Sequence, residues 1–407
     1  MKKKTGNCCS IVFCLLCSVF LLGNAESKLS AEEVPLIEQA ESVLTSYMRN
    51  FARANLASKP GILKDAQADE LSFNILKPLY ALALDFALAN GALFTNDTDM
   101  FSLLSIATKG ALEQGDTTQA ETLWDLYAIF PNPNTKVEIL GALGILGRGN
   151  PRIISGLNDL LENRNGMLRL ENQTVDYEVL MACIAALGSL SSASSFPVLF
   201  SSLMSDQGES ITDEIIAALQ SIRANYTDAF VDVIKNNPFS EKAVAFRIGT
   251  SHSRLLDGER AKIAHAALEA SIDASGELED SLRYDAVTVL TSLRWHPSSS
   301  LAVRNFYRVQ TGFSNGVIPK VRVLEAVASL GAMYSPEAVQ ALALHLSYVN
   351  AQTERTGRYD TDIVMALIHS LGQTRDGSVF SQLVQVSTMP YTQEIQNSAR
   401  EALSRLR

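Results

Sequence analysis

Apolar residues recur along the chain at spacings of three and four, as in Val179, Ala182, Cys183, Ala186, Leu187 and Leu190. That periodicity marks one face of an α-helix, and strand-like alternation dominates nowhere. A longer cadence lies on top of it: an apolar run, a Leu-Gly-type pair, a short polar gap and a second apolar run. It is visible in 142–157, 185–203, 217–234 and 327–344. Aligned on the residue after the leucine, its anchors are Gly144, Gly188, Gln220, Asp257, Thr291, Gly331 and Gly372, separated by 44, 32, 37, 34, 40 and 41 residues. Asp257 is placed partly because it divides the 71-residue gap between its neighbours. Each unit predicts two helices, the first ending near the anchor with glycine serving the chain reversal. Asn150-Pro151 and Ser335-Pro336 both put a polar N-cap before a proline at the first helical position, opening the second helix of a unit.

Outside the cadence the pattern is helical but less regular. Helices are expected over 31–53, 69–90, 98–113 and 117–130, the first opened by the capping box Ser30-Ala-Glu-Glu33. The double-proline turn Phe130-Pro131-Asn132-Pro133 suggests a boundary, with a segment 26–133 before it and the repeats over 134–407. A lone helix over 392–407 is expected to close the array. Polar stretches 163–174, 205–209 and 350–359 are expected as loops joining one unit to the next.

The first residues carry a different signal. Lys2, Lys3 and Lys4 precede an apolar stretch from Ile11 to Gly23, and Gly23-Asn24-Ala25 fits a cleavage site. This is the layout of a secretory signal peptide, 1–25, whose apolar core is too short for the roughly 20 residues of a membrane span. An exported protein with no stable membrane span after cleavage is therefore expected, periplasmic or extracellular. Lipidation ranks second, because Leu16 stands before Cys17 where a small residue is needed. Only Cys183 lies beyond the signal, so no intramolecular disulfide is available, and its apolar setting reads as a small buried hydrophobe.

The unit length, the paired helices and segments such as AREALSRL (399–406) resemble HEAT repeats of the short, bilin-lyase-like kind, over 134–407. The resemblance implies an all-α, right-handed α-α superhelix of HEAT/armadillo type. It implies about seven helix pairs, with 26–133 as an irregular helical or capping segment. Gln220, Asp257 and Thr291 depart from the pattern by lacking the glycine. Such a resemblance speaks to architecture and is nearly silent on activity.

Charge narrows the partner. Beyond residue 25 there are 31 basic against 44 acidic residues, a net −13, which disfavours nucleic acid. Templates for catalysis are missing. The residues after the histidines are Ser253, Ala266, Pro297, Leu346 and Ser370, so no His-Glu pair exists, and no HExxH or paired-cysteine site occurs. His265, His345 and His369 lie in helical apolar runs and read as packed or solvent-edge side chains rather than ligands. Gly249-Thr-Ser251-His-Ser253 lacks the final glycine of a nucleophile elbow, and Gly147-Arg-Gly-Asn-Pro151 lacks the Lys-Ser/Thr of a phosphate loop. No catalytic, metal or cofactor-binding residue is assigned.

Residues 241–322 stand out, with eleven Lys/Arg against nine Asp/Glu in an otherwise acidic chain. There Arg304 and Arg308 are one helical turn apart with Tyr307 beside them, and Arg294-Trp295-His296-Pro297 forms the turn before. Trp295, Arg304, Tyr307 and Arg308 are the candidate partner-binding residues, since Arg, Tyr and Trp are enriched at hot spots. A solvated helix face is the plainer alternative. The sequence thus predicts an exported, non-enzymatic scaffold holding a protein or peptide on its concave face. Its rivals are an envelope component that binds wall polymer or itself, and an enzyme with residues scattered over the repeats.

Overall fold

Short polar side chains ahead of apolar runs start the helices. Asn132 accepts from the Thr135 amide, Asn150 from Arg152 and Ile153, Ser335 from Ala338, and Asp360 from Asp362 and Ile363. Each such bond satisfies an amide that the first helical turn leaves unpaired. The computed structural model describes residues 33–69, 76–168, 176–205 and 209–406. The expected signal peptide, the Ser30 cap and the polar stretches 169–175 and 206–208 lie outside the described residues. Every regular element among the described residues is helical, so the protein is all-α. The chain divides into two compact units, one up to Gly147 and one from Arg148 onward.

The first unit contains α1 (Glu33–Arg53), α2 (Lys59–Ala68), α3 (Lys77–Asn90), α4 (Thr98–Glu113), α5 (Ala120–Ile129) and α6 (Pro133–Leu146). The helix expected over 69–90 instead begins at Lys77, with Pro78 in its first turn, where a missing N–H costs nothing. The Pro131–Pro133 turn lies within this unit, between α5 and α6. Leu63, Leu79, Leu84, Met100, Leu103 and Leu123 are fully buried in its core.

The second unit contains α7 (Pro151–Leu168), α8 (Tyr177–Leu190), α9 (Phe196–Leu203), α10 (Glu209–Ser221), α11 (Tyr226–Asn236), α12 (Phe239–Ser251) and α13 (Asp257–Ser271). It continues with α14 (Glu277–Ser292), α15 (Ser299–Ser314), α16 (Lys320–Ala332), α17 (Pro336–Thr356), α18 (Thr361–Thr374), α19 (Phe380–Thr388) and α20 (Gln393–Arg405). Helices pack on their sequence neighbours and on the next but one. The even-numbered series includes α8 on α10 and, separately, α12 on α14, α14 on α16, α16 on α18 and α18 on α20; the odd-numbered series includes α7 on α9, α11 on α13, α15 on α17 and α17 on α19. Apolar side chains fill the space between, as where Phe230 meets Phe196 edge-on with ring centroids 4.9 Å apart.

Three expectations need correction. The anchor glycines were expected in turns, yet Gly188, Gly331 and Gly372 lie inside α8, α16 and α18 and are buried. A β-carbon on Gly188 would meet the Ala218 Cα at 3.0 Å, one on Gly331 the Ser370 Cβ at 2.9 Å, and one on Gly372 the Ala402 Cβ at 2.9 Å. Glycine is there because the next helix of the layer approaches closely, which turns the anchor into a packing feature. Asp257 is no helix end at all: it opens α13, and the helical glycine of that unit is Gly249, against Phe230 and Ile263. Finally, 163–174 and 350–359 are expected as loops, whereas α7 continues to Leu168 and α17 to Thr356. The polar residues of α17 are retained by partners, because Tyr391 Oη shares its proton between Asn350 Oδ1 at 2.9 Å and Thr353 Oγ1 at 3.1 Å.

Candidate functional site: the α15–α18 pocket

Of the residues singled out by sequence, Arg304, Tyr307 and Arg308 lie on α15 and Trp295 in the turn before it. The arginines are engaged internally. Arg304 holds both carboxylate oxygens of Asp273 at 2.7 Å. Arg308 donates to the Ile272 and Ala274 carbonyls at 3.2 and 2.7 Å and to Ser275 Oγ at 3.0 Å. Buried Arg283 on α14 grips the same turn through Ser271 and Ala274 carbonyls at 3.1 and 3.4 Å. Three cations therefore satisfy the carbonyls and acid at the end of α13, and that arrangement accounts for much of the basic window. Trp295 does not join them. It packs over Gly258 and lines a separate groove of about 350 Å³ with Lys235, Lys262, His265 and Glu269. Tyr307 keeps its ring exposed.

Two other histidines have local partners: half-buried His265, whose Nδ1 meets Ser298 Oγ at 2.8 Å, and exposed His369, whose Nε2 meets Gln373 Nε2 at 2.7 Å. Cys183 is buried, and burial pushes its thiol up to about 12. Among the described residues no three His, Cys, Asp or Glu side chains gather as a metal site would require, and no helix is long and apolar enough to cross a membrane.

A better formed concavity lies between α15, α16, α17 and α18, with a volume of about 540 Å³. Part of its wall is apolar and aromatic: Phe313 from α15, Val323 from α16, Tyr348 and Val349 from α17, Ile363 from α18 and Tyr359 from the turn between. Polar groups are set among them. Gln310 and His345 face each other across the layer with Nε2 2.7 Å from Nδ1. An amide nitrogen can only donate, so Nδ1 accepts and the imidazole proton sits on Nε2. Burial lowers the His345 pKa, which keeps the ring neutral and this bond intact near pH 7. The ring is wedged between Phe306, at 5.4 Å and nearly perpendicular, and Tyr348, stacked at 6.3 Å. Tyr348 is 61% exposed, so one face is held by the protein and the rest is open to a ligand.

Asp360 in the rim is already occupied, capping α18 and lying 3.3 Å from Lys320 Nζ. Arg358 beside it carries no ion-pair or hydrogen-bond partner on its guanidinium among the described residues, and neither does the Gln352 amide. The pocket thus offers aromatic faces, amides and one cation, the combination that small concave sites use for orientation and specificity. It was missed in sequence because His345 read as a core residue and 350–359 as a loop. The available signal was the spacing of His345, Tyr348, Val349 and Gln352 at i, i+3, i+4 and i+7, an aromatic and amide stripe down one face of α17.

Neither the protein-family models nor the curated proteins contain a match to this chain.

Proposed function

We propose that this protein is an exported, non-enzymatic scaffold that holds an extended segment of a partner protein in the α15–α18 pocket. The architecture we infer is a HEAT-like right-handed superhelix of paired helices over residues 148–407, with α15 and α17 among the helices lining its concave surface. The recurrent packing of helices on sequence neighbours and on next-but-one neighbours supports that reading. The observation that carries the function is the exposed Tyr348 ring beside unpartnered Gln352 and Arg358 in a cavity of about 540 Å³. An aromatic face takes an apolar side chain, a glutamine amide matches the donor and acceptor of a peptide group, and the guanidinium takes a carboxylate. Of the residues first considered, Tyr307 stays in the proposed surface as an exposed aromatic on α15. Arg304 and Arg308 act by holding the α13–α14 turn that precedes it.

Selection of random displayed peptides on the full chain tests this. Enriched peptides should lose at least tenfold in affinity on Y348S or R358E and remain within about twofold on R304Q. Enrichment of nothing, or equal binding to all variants, contradicts the reading.

A further inference from the structure

A second concavity, of about 470 Å³, opens at the ends of α14, α16, α18 and α20. Arg294, His296, Tyr334, Gln373, Arg375 and Arg405 line it, and no aspartate or glutamate does. That is a marked local excess in a chain whose formal net charge is −10. Arg405 is paired with Glu401 on its own helix. Arg294 and Arg375 have no side-chain partner among the described residues. They contrast with Arg148, Arg260, Arg283 and Arg308, each of which donates to a backbone carbonyl. Cations commonly gather at helix C-termini to meet the free carbonyls, but these two guanidiniums leave the carbonyls alone.

Their backbone makes the choice of residue more telling. Arg294 has φ 50° and Arg375 φ 54°, the left-handed region. Trp295 N donates to the Leu290 carbonyl, closing the turn after α14 in the same way that Asp116 N donates to Ala111 after α4. At that point the α4 turn carries Gly115, with φ 59°, and the α8 turn carries Ser191, with φ 52°. Glycine is the residue such turns favour, and a long β-carbon-bearing side chain works against them. Twice in this unit the turn position has an arginine that the fold does not use. Strained positions of this kind concentrate where a side chain is needed for binding.

The two turns end α14 and α18, with α16 packed between them. Two helix-to-helix steps separate their backbones by roughly 16–20 Å. An extended peptide covers that distance in about five or six residues at ~3.3 Å each. Small ions are too short for the row, whereas planar carboxylates suit the guanidinium fork, and Gln373 and exposed Tyr334 between the arginines suit peptide groups and side chains.

We infer that Arg294, Arg375 and Arg405 form a second binding site, distinct from the α15–α18 pocket, that takes an extended segment rich in aspartate or glutamate. The site needs no occupant in the first pocket, so the two stand or fall separately.

Fluorescence anisotropy of labelled hexaglutamate against hexaserine, on the full chain, tests it. Wild type should bind hexaglutamate at least tenfold more tightly, more weakly as salt rises, and R294Q/R375Q should lose at least tenfold. R247Q, which removes one exposed charge on α12, should stay within twofold. R294G/R375G gives a second arm that does not depend on fold tolerance: binding should be lost while the thermal midpoint rises, because glycine relieves both turns. Equal binding of the two peptides, an equal loss in R247Q, retained binding in R294G/R375G, or displacement of hexaglutamate by millimolar inorganic phosphate alone would each overturn the assignment.

Discussion

Individual residues carry the clearest lesson about what the repeat cadence encodes. Gly188, Gly331 and Gly372 were visible in sequence as anchors, and their spacing located the ends of real helices. Their role was not legible, because a turn glycine and a close-contact glycine look alike until the neighbouring helix is placed. The small residues that complete the contact, Ala218, Ser370 and Ala402, lie some 30 to 39 positions downstream of their glycines. Adding a methyl at Gly188 should force α8 and α10 apart and lower stability by about 1–3 kcal/mol. Gly141, in α6 and with open space around it, should instead gain about 0.5–1 kcal/mol on replacement by alanine, since only its helix propensity changes. Urea midpoints of G188A and G141A check both, and a neutral G188A would contradict the packing role. The arginine cluster teaches the same thing. Its composition suggested a hot spot, but carbonyl partners at the end of α13 cannot be read from composition. R308A, which abandons two carbonyls and a hydroxyl, should lose about 1.5–3 kcal/mol. R304A, whose pair with Asp273 is well exposed, should lose at most about 1 kcal/mol. Equal losses in the two variants would dissolve that distinction.

Among elements, α17 departs furthest from expectation and contributes most to the proposed site. A polar stretch reads as a loop because the side chains that Asn350 and Thr353 meet in the interior, Gln385 and Tyr391, come some 35 to 41 residues later. Earlier in the same helix, His345 links α17 to α15. Burial holds its imidazole below the ordinary value, so as the pH falls the unfolded chain takes up protons before the folded one. The stability this group contributes is complete above about pH 6.5 and is lost as the pH falls through the lower folded value. Protonating Nδ1 would also set two donors face to face with Gln310. The groups around it are Tyr348, Tyr359, Arg358 and Asp360 in the pocket, with Phe306 behind. Stability of the wild type should therefore decline between pH 7 and 5, and H345Q should decline less steeply. Chemical denaturation at the two pH values reads the difference, and parallel slopes would show that His345 carries none of it.

At the scale of the whole molecule, helical class was legible because a period of three to four residues is a local property, repeated until it is unmistakable. Where the pockets fall was not, since each is assembled from helices in separate units of the cadence, and the residues that matter are those the packing leaves without partners. Arg358, Gln352, Arg294 and Arg375 became visible only once the engaged arginines had been accounted for. Capture of a partner segment by the α15–α18 pocket is read by photo-crosslinking in the source cell, with benzoylphenylalanine in place of Tyr348, of Tyr307, or of exposed Leu278 on α14 as a control. A single partner should be captured from 348, and from 307 at an adjoining residue of the same segment, with nothing captured from 278. No adduct at 348, or the same adducts at all three positions, would contradict it.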